Sequence, residues 1–372
     1  MRRLVLLLAA VLGTTAAAEP ARLPILVPVT GFLSLEGTSQ RNGALLALRQ
    51  APAGLAVSGE VIDTATAPEN AVNALLRALD GGPVPAVVAP MLGTQMLALM
   101  PIAAEEKLPL VTVSGTASLT ETGNPWIFRF FPSDRAAKEA HVRYAVERLG
   151  RHKLALVYQT TAYGQSGATY IAAAARRHGA ELVFSEGIDT DVKDYAPVLK
   201  RAMASGADAL LLHLHAGPTA LAVRQVAALG LTLPVVTGSA LHQPATAALL
   251  EPRELKGICA ESASSPVSGG SPRLEQFLKD YRAAFGADPD AYALAQYDGT
   301  EMLLDVLAHG ARTGEAVRAA LAAGQWDGVA MRYASNGHGD MAHSVVILCY
   351  DGVTRVPKVV ERYDGLDAAR PD

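Results

Sequence analysis

Short apolar runs rich in β-branched residues alternate along the chain with longer stretches whose apolar positions recur every three or four residues. Residues 23–29 read as a strand ended by Thr30-Gly31. A loop over 32–37 then leads into a helix over 38–50, where Ala44, Leu45 and Leu48 share one face. Residues 54–63 read as a strand, and 68–79 as a helix opened by Pro68. The runs at 86–89 and 108–113 read as strands flanking a helix over 95–106. Strand and helix in strict alternation predict a parallel sheet covered on both faces.

The extended segment IFRFFP at 127–132 breaks this rhythm, and Ser133-Asp134 caps a helix over 135–149. Alternation then restarts, with strands at 153–159, 181–185, 209–213 and 234–237 and helices at 164–178, 195–205 and 218–229. The prediction is two similar α/β units in tandem. Residues 262–271, rich in Ser, Gly and Pro, have loop composition. Helices follow at 272–285, 292–309 and 314–323. Strands at 329–332, 344–350 and 358–363 are too few for a third core and must complete the earlier sheets.

A right-handed crossover makes the strands at 86–89 and 108–113 parallel neighbours, so the turns after both fall at strand C-terminal ends, where open α/β sheets bind ligands. Those turns carry Gly93-Thr94 and Ser114-Gly115-Thr116. Hydroxyls beside free backbone N–H groups at helix starts suit a small anion. Either turn alone is equally well an ordinary helix cap; the pair carries the expectation.

At 372 residues, with 50% hydrophobic and 18% charged positions, the chain is long and apolar enough for two cores. A net charge of -4 gives no support to nucleic-acid binding. Arg2-Arg3, the apolar run 4–12 and Ala16-Ala17-Ala18 have the layout of a signal peptide over 1–18, cleaved near Ala18 for export to the periplasm. Cys259 and Cys349 both lie in apolar runs, as a bridge or as two buried thiols. An exported hydrolase is the enzymatic rival, but Ala168 stands where a G-x-S-x-G elbow around Ser166 needs its last glycine. No dinucleotide or P-loop glycine pattern is present, and neither a cofactor nor a metal is expected.

Five blocks in order resemble the leucine/isoleucine/valine-binding branch of periplasmic substrate-binding proteins, which serve ABC importers and have the type I binding-protein fold. They are VPVTGFLSLEGTSQRNGALLAL from Val27, PIAAEEKLPLVTVSGTASLT from Pro101, FRFFPSD from Phe128, YGQSG from Tyr163 and AVRQVAALGL from Ala222. The resemblance implies two doubly wound parallel-sheet lobes joined by a three-stranded hinge, closing on a ligand without chemistry. Lobe 1 would span 22–132 plus 264–336, and lobe 2 133–263 plus 337–366. Both cysteines would then belong to lobe 2, which favours a disulfide.

The matching site positions are Gly93, Thr94, Ser114, Gly115 and Thr116 for a ligand carboxylate, with Tyr163, His215-Ala216 and Ala240 from the second lobe. Two positions depart from the amino-acid-binding pattern. Gly238-Ser239-Ala240 stands where the family often has a carboxylate for a ligand ammonium, which favours a carboxylate without an α-ammonium group. Glu36, where the family often has an aromatic, would be an exposed loop carboxylate, or the substitute partner of an amino acid or amide. His213 and His215 alternate onto one face, but no third metal ligand lies near. The expected partners are a small ligand and ABC permease subunits, the protein being a monomer; a sensor for a membrane signalling partner is the alternative.

Overall fold

The computed structural model describes residues 20–367. The expected signal peptide lies outside them. Among the described residues no helix is long and apolar enough to cross a membrane.

The first half winds β1 (Ala21–Val27), α1 (Ser34–Arg49), β2 (Val57–Asp63), α2 (Pro68–Asp80), β3 (Val87–Val88), α3 (Gly93–Glu105), β4 (Leu110–Thr112), α4 (Ser118–Glu121) and β5 (Ile127–Arg129). These strands form one parallel sheet in the order β2-β1-β3-β4-β5. The order reverses between β1 and β3, so the loops leaving β1, β3 and β4 diverge into a crevice at the strand C-terminal ends.

The second half repeats the scheme with α5 (Asp134–Arg143), β6 (Lys153–Gln159), α6 (Ala162–Arg177), β7 (Glu181–Ile188), α7 (Ala196–Ala204), β8 (Ala209–His213), α8 (Ala216–Ala228), β9 (Val235–Thr237), α9 (Pro244–Ala247) and β10 (Ile258–Ser262). The chain next adds α10 (Pro272–Phe285), α11 (Ala291–Ala308) and α12 (Gly314–Ala323), a ribbon of β11 (Gln325–Asp327) and β12 (Arg332–Ala334), and finally β13 (Val345–Cys349) and β14 (Lys358–Tyr363). The second sheet has the order β14-β13-β10-β9-β8-β6-β7. Its strands are parallel from β7 to β10, while β13 and β14 join antiparallel.

Helices α11 and α12 return to the first sheet, where Met302, Leu303, Val306, Leu307, Val317 and Leu321 pack on Leu23, Ile25 and Val27. The late elements thus serve both sheets, and three segments carry the chain between them: 130–133, 263–271 and 335–344.

Three sequence expectations shift. Helix α1 starts at Ser34, so Glu36 lies in its first turn rather than in a loop. Of the extended 127–132 segment, only β5 pairs, as the fifth strand of the first sheet. The strand expected at 329–332 forms only from Arg332, because the Val329 and Ala330 N–H groups donate to the buried Asp298 carboxylate, at 2.7 and 2.9 Å, instead of to a ladder.

Cys259 and Cys349 face each other across β10 and β13 and form a disulfide. For a sequence separation of 90 residues, loop entropy limits its contribution to about 4 to 5 kcal/mol. Replacing both cysteines with serine is expected to lower stability by up to that amount in urea unfolding. An unchanged midpoint would show that the bridge constrains nothing that the sheet does not already fix.

Candidate functional site

The crevices of the two sheets face one another, and the loops at their strand ends enclose a chamber. Leu33 and Glu36 follow β1, Met91 follows β3, and Val113 and Gly115 follow β4. Opposite them stand Asp134, Tyr163 after β6, His215 after β8, Ser239 and Ala240 after β9, and Glu261 to Ala263 at the end of β10. Phe131 and Tyr292 close one side, their rings stacked at 4.8 Å. The space open to a water molecule's centre is about 30 Å³, room for roughly two waters.

The loop after β4 is held from behind by Arg129, a fully buried guanidinium. Its Nη1 donates to the carbonyls of Thr116 at 2.6 Å and Ser114 at 3.3 Å. Its Nε donates to Asp340 at 2.8 Å, and Nη2 reaches Thr120. With the loop's carbonyls committed to the guanidinium, the Ser114 and Thr116 hydroxyls are left buried without a protein partner. Gly93, at the start of α3, lies so close that a Cβ there would sit 2.0 Å from Thr116 Oγ1. Gly115 is equally constrained: its missing Cβ would lie 3.0 Å from Asp134 Oδ1 and 3.2 Å from the Tyr163 ring.

Burial makes the charges here expensive. Glu36 is only 2% exposed, contrary to the expected exposed carboxylate, because α8 packs over it and the Ala216 N–H donates to its Oε1 at 2.8 Å. Its Oε2 has no partner. Desolvation raises its pKa to about 7, against the smaller opposing effect of the Ala216 hydrogen bond. Asp134, whose N–H donates to Gly115 O at 2.6 Å, is likewise raised to about 7 by desolvation, with Lys138 opposing. Its Oδ2 is also unpartnered.

Behind Asp134 lies a buried ion group. Glu261 pairs with Lys138 and accepts from His141 Nδ1 at 2.9 Å, and these partners hold its pKa below the usual range despite burial.

Two histidines frame Tyr163, with ring centroids 4.0 Å away for His213 and 5.1 Å for His215. His213 Nε2 donates to the Tyr163 carbonyl at 3.1 Å, which leaves Nδ1 as a bare acceptor. Burial pushes the His215 pKa down to about 3 and that of His213 well below its ordinary value, so both are neutral. No group of His, Cys, Asp or Glu among the described residues is arranged to hold a metal.

Of the residues singled out from sequence, Glu36, Gly115, Tyr163, His215 and Ala240 line the chamber. Ser114 and Thr116 lie buried in its loop, Gly93 packs on Thr116, and Ala216 touches the site through its N–H to Glu36. Thr94, half-buried on the first turn of α3, is not among the lining residues. Asp134, Glu261 and the supporting Arg129 were missed. Each falls in a stretch with an innocent local reading: a helix start after Ser133, a buried strand, and an extended crossing.

Known proteins share this architecture. Residues 20–351 match the family model described as periplasmic binding protein. An amino acid binding protein of Pseudomonas aeruginosa is 27% identical over 289 residues, 74% of this chain and 75% of its own length. Among solved structures, the branched-chain amino acid transporter substrate-binding protein of Streptococcus pneumoniae, in complex with isoleucine, has a TM-score of 0.83 at 20% identity. It covers 92% of this chain and 99% of its own. A solute-binding protein of an ABC transporter from R. palustris, in complex with 4-hydroxybenzoate, has a TM-score of 0.84 at 20% identity, over 94% and 98%. These structural likenesses establish the fold.

The two raised carboxyls make the empty protein sensitive to pH. A carboxyl whose folded pKa lies above its unfolded value stabilises the fold below the unfolded pKa and loses that stability as pH rises through the folded one. Between the ordinary carboxyl values of 4.5 for Glu36 and 3.8 for Asp134 and about 7, stability should therefore fall with rising pH on account of these two groups. Thermal unfolding of ligand-free protein from pH 4 to 8 tests this: Glu36→Gln and Asp134→Asn should each flatten the decline. An identical slope in both variants would contradict the burial argument.

Proposed function

The chain belongs to the periplasmic binding protein family and is a binding protein rather than an enzyme; from that footing we propose that it captures a small α-amino acid in the periplasm and delivers it to an ABC permease. The observation that carries this reading is a chamber lined by two carboxylates that each keep one unpartnered oxygen, bordered by a loop whose two buried hydroxyls also lack partners. Ser114 and Thr116, with the start of α3 at Gly93, suit the ligand carboxylate. Asp134, adjacent to that loop through Gly115, suits the ammonium.

This reverses the preference drawn from sequence for an acid lacking an ammonium group. That preference rested on Ser239 replacing a family carboxylate, and on Glu36 being exposed. Ser239 instead bonds the Tyr292 hydroxyl at 2.7 Å, while Asp134 offers a carboxylate on the other side of Tyr163. An uncompensated buried carboxylate beside a simple acid ligand would cost several kcal/mol.

In the mechanism we propose, the halves are lobe 1 at 22–132 plus 264–336 and lobe 2 at 133–263 plus 337–366. Ligand binds first to the loops of lobe 1. Tyr163, His215 and Ala240 of lobe 2 add contacts that exist only when the cleft is shut, so ligand shifts the open–closed equilibrium by its differential affinity. Delivery to a permease requires no covalent change in the cargo.

The two ligand classes differ in the sign of their pH dependence. An ammonium ligand needs Asp134 ionised, so its affinity should fall about a hundredfold between pH 8 and pH 5 for one group titrating near 7. A simple acid, repelled by ionised Asp134, should bind more tightly over the same interval. Calorimetric titrations of purified protein with amino acids and with benzoates at both pH values decide between them. Tighter binding at low pH would overturn the amino-acid reading.

A further inference from the structure

The amino-acid reading uses Asp134 and leaves Glu36 unassigned. Both carboxylates line the chamber, but they belong to different surroundings. The charges bearing on Asp134 are Lys138, Glu261 and Arg129, so that end already contains cations. The charge bearing on Glu36 is Asp290, a second buried acid at the start of α11. Asp290 spends one oxygen on the Ala293 N–H and the other on the Gln243 amide, which leaves it no role in the chamber.

Glu36 itself is half committed. Oε1 is fixed by the Ala216 N–H at 2.8 Å, the first N–H of α8, so the carboxylate plane is oriented across the cleft. Oε2 is buried, lacks a partner and belongs to a side chain that lines the chamber. A buried acceptor of this kind carries a full desolvation cost unless a donor arrives. His215 on the opposite wall is neutral and bonded to Thr161, so it does not serve. Apolar and aromatic side chains make up much of the remaining lining: Leu33, Met91, Val113, Phe131 and Tyr292.

We propose that Glu36 is a specificity-determining residue that receives a second, side-chain ammonium, so that the ligand is a short diamino acid. This rests on the amino-acid reading above. The ligand's α-carboxylate and α-ammonium occupy the Ser114–Asp134 end, its methylenes lie along the apolar walls, and the terminal ammonium donates to Glu36 Oε2. The chamber must widen to admit any diamino acid, and a short chain requires the least widening. Because Glu36 comes from α1 and its orienting donor from α8, the terminal ammonium is gripped only in the closed cleft, and closure itself reads the side chain.

Calorimetry with the purified exported chain tests this, using 2,4-diaminobutyrate, ornithine and lysine against 2-aminobutyrate, norvaline and norleucine. At least one diamino acid should bind about 100-fold more tightly than the alkyl amino acid of matching chain length, the scale expected for a desolvated charge pair. In Glu36→Gln, which keeps an acceptor for Ala216 but presents an amide N–H₂ to the chamber, that preference should vanish, the diamino acid coming within about threefold of its alkyl counterpart measured on the same variant. Alkyl amino acids binding wild type as tightly as diamino acids would overturn the proposal and leave the amino-acid reading intact. Binding of benzoates but of no amino acid would overturn both. Should the variant fail to fold by circular dichroism, the wild-type ratio alone decides.

Discussion

The cleft is organised by a guanidinium that never meets solvent. Arg129 joins β5, the loop after β4 and the segment before β13, because its donors reach the Ser114 and Thr116 carbonyls, Thr120 and Asp340. Burying such a charge is tolerable only when every donor is occupied and an acid is paired with it. The consequence is geometric. The Ser114 and Thr116 carbonyls turn toward the arginine while the Gly115 carbonyl between them accepts from the Asp134 N–H, so the loop is held from both sides and its two hydroxyls stay unbonded at the border of the cleft. Asp340 lies within one of the three segments that connect the sheets, 335–344, so the arginine ties the loop after β4 to that connection.

At the two carboxylates the constraint is inverted. Glu36 and Asp134 each keep one buried oxygen without a donor, and neither has a cation among the described residues bonded to it. Lys138 is close to Asp134 but is claimed by Glu261, which also takes the His141 proton donor. The halves therefore meet over electrostatic demand that is only met by something from outside. Such incomplete satisfaction is destabilising in an empty protein, and it is how a binding site differs from a core.

Much of this architecture was legible in the chain. Strands β6 and β8 and helices α10 and α12 have the bounds that apolar spacing predicts, because a parallel strand buried on both faces reads as a short continuous apolar run. The hydroxyl turns at Gly93-Thr94 and Ser114-Gly115-Thr116 were visible because strand ends in a β-α-β unit are fixed by topology alone. Glu36 was misjudged for a reason that no local pattern reveals. Its burial depends on α8, 180 residues later, whose Ala216 N–H lies over it. Asp134 sits directly after Ser133, whose hydroxyl does cap α5, so the neighbouring acid passed as part of the same signal. Arg129 reads as a polar position in an extended strand until Asp340, 211 residues on, is brought beside it.

The Cys259–Cys349 bridge has a mechanical meaning beyond stability. It joins β10, which runs into the 263–271 connection, to β13, which receives the chain from the 335–344 connection. Two of the three straps between the halves are thereby anchored on one covalently riveted plate. Slippage of β10 against β13 is opposed by a covalent link as well as by their ladder, so two of the three connections start from strands whose register is locked.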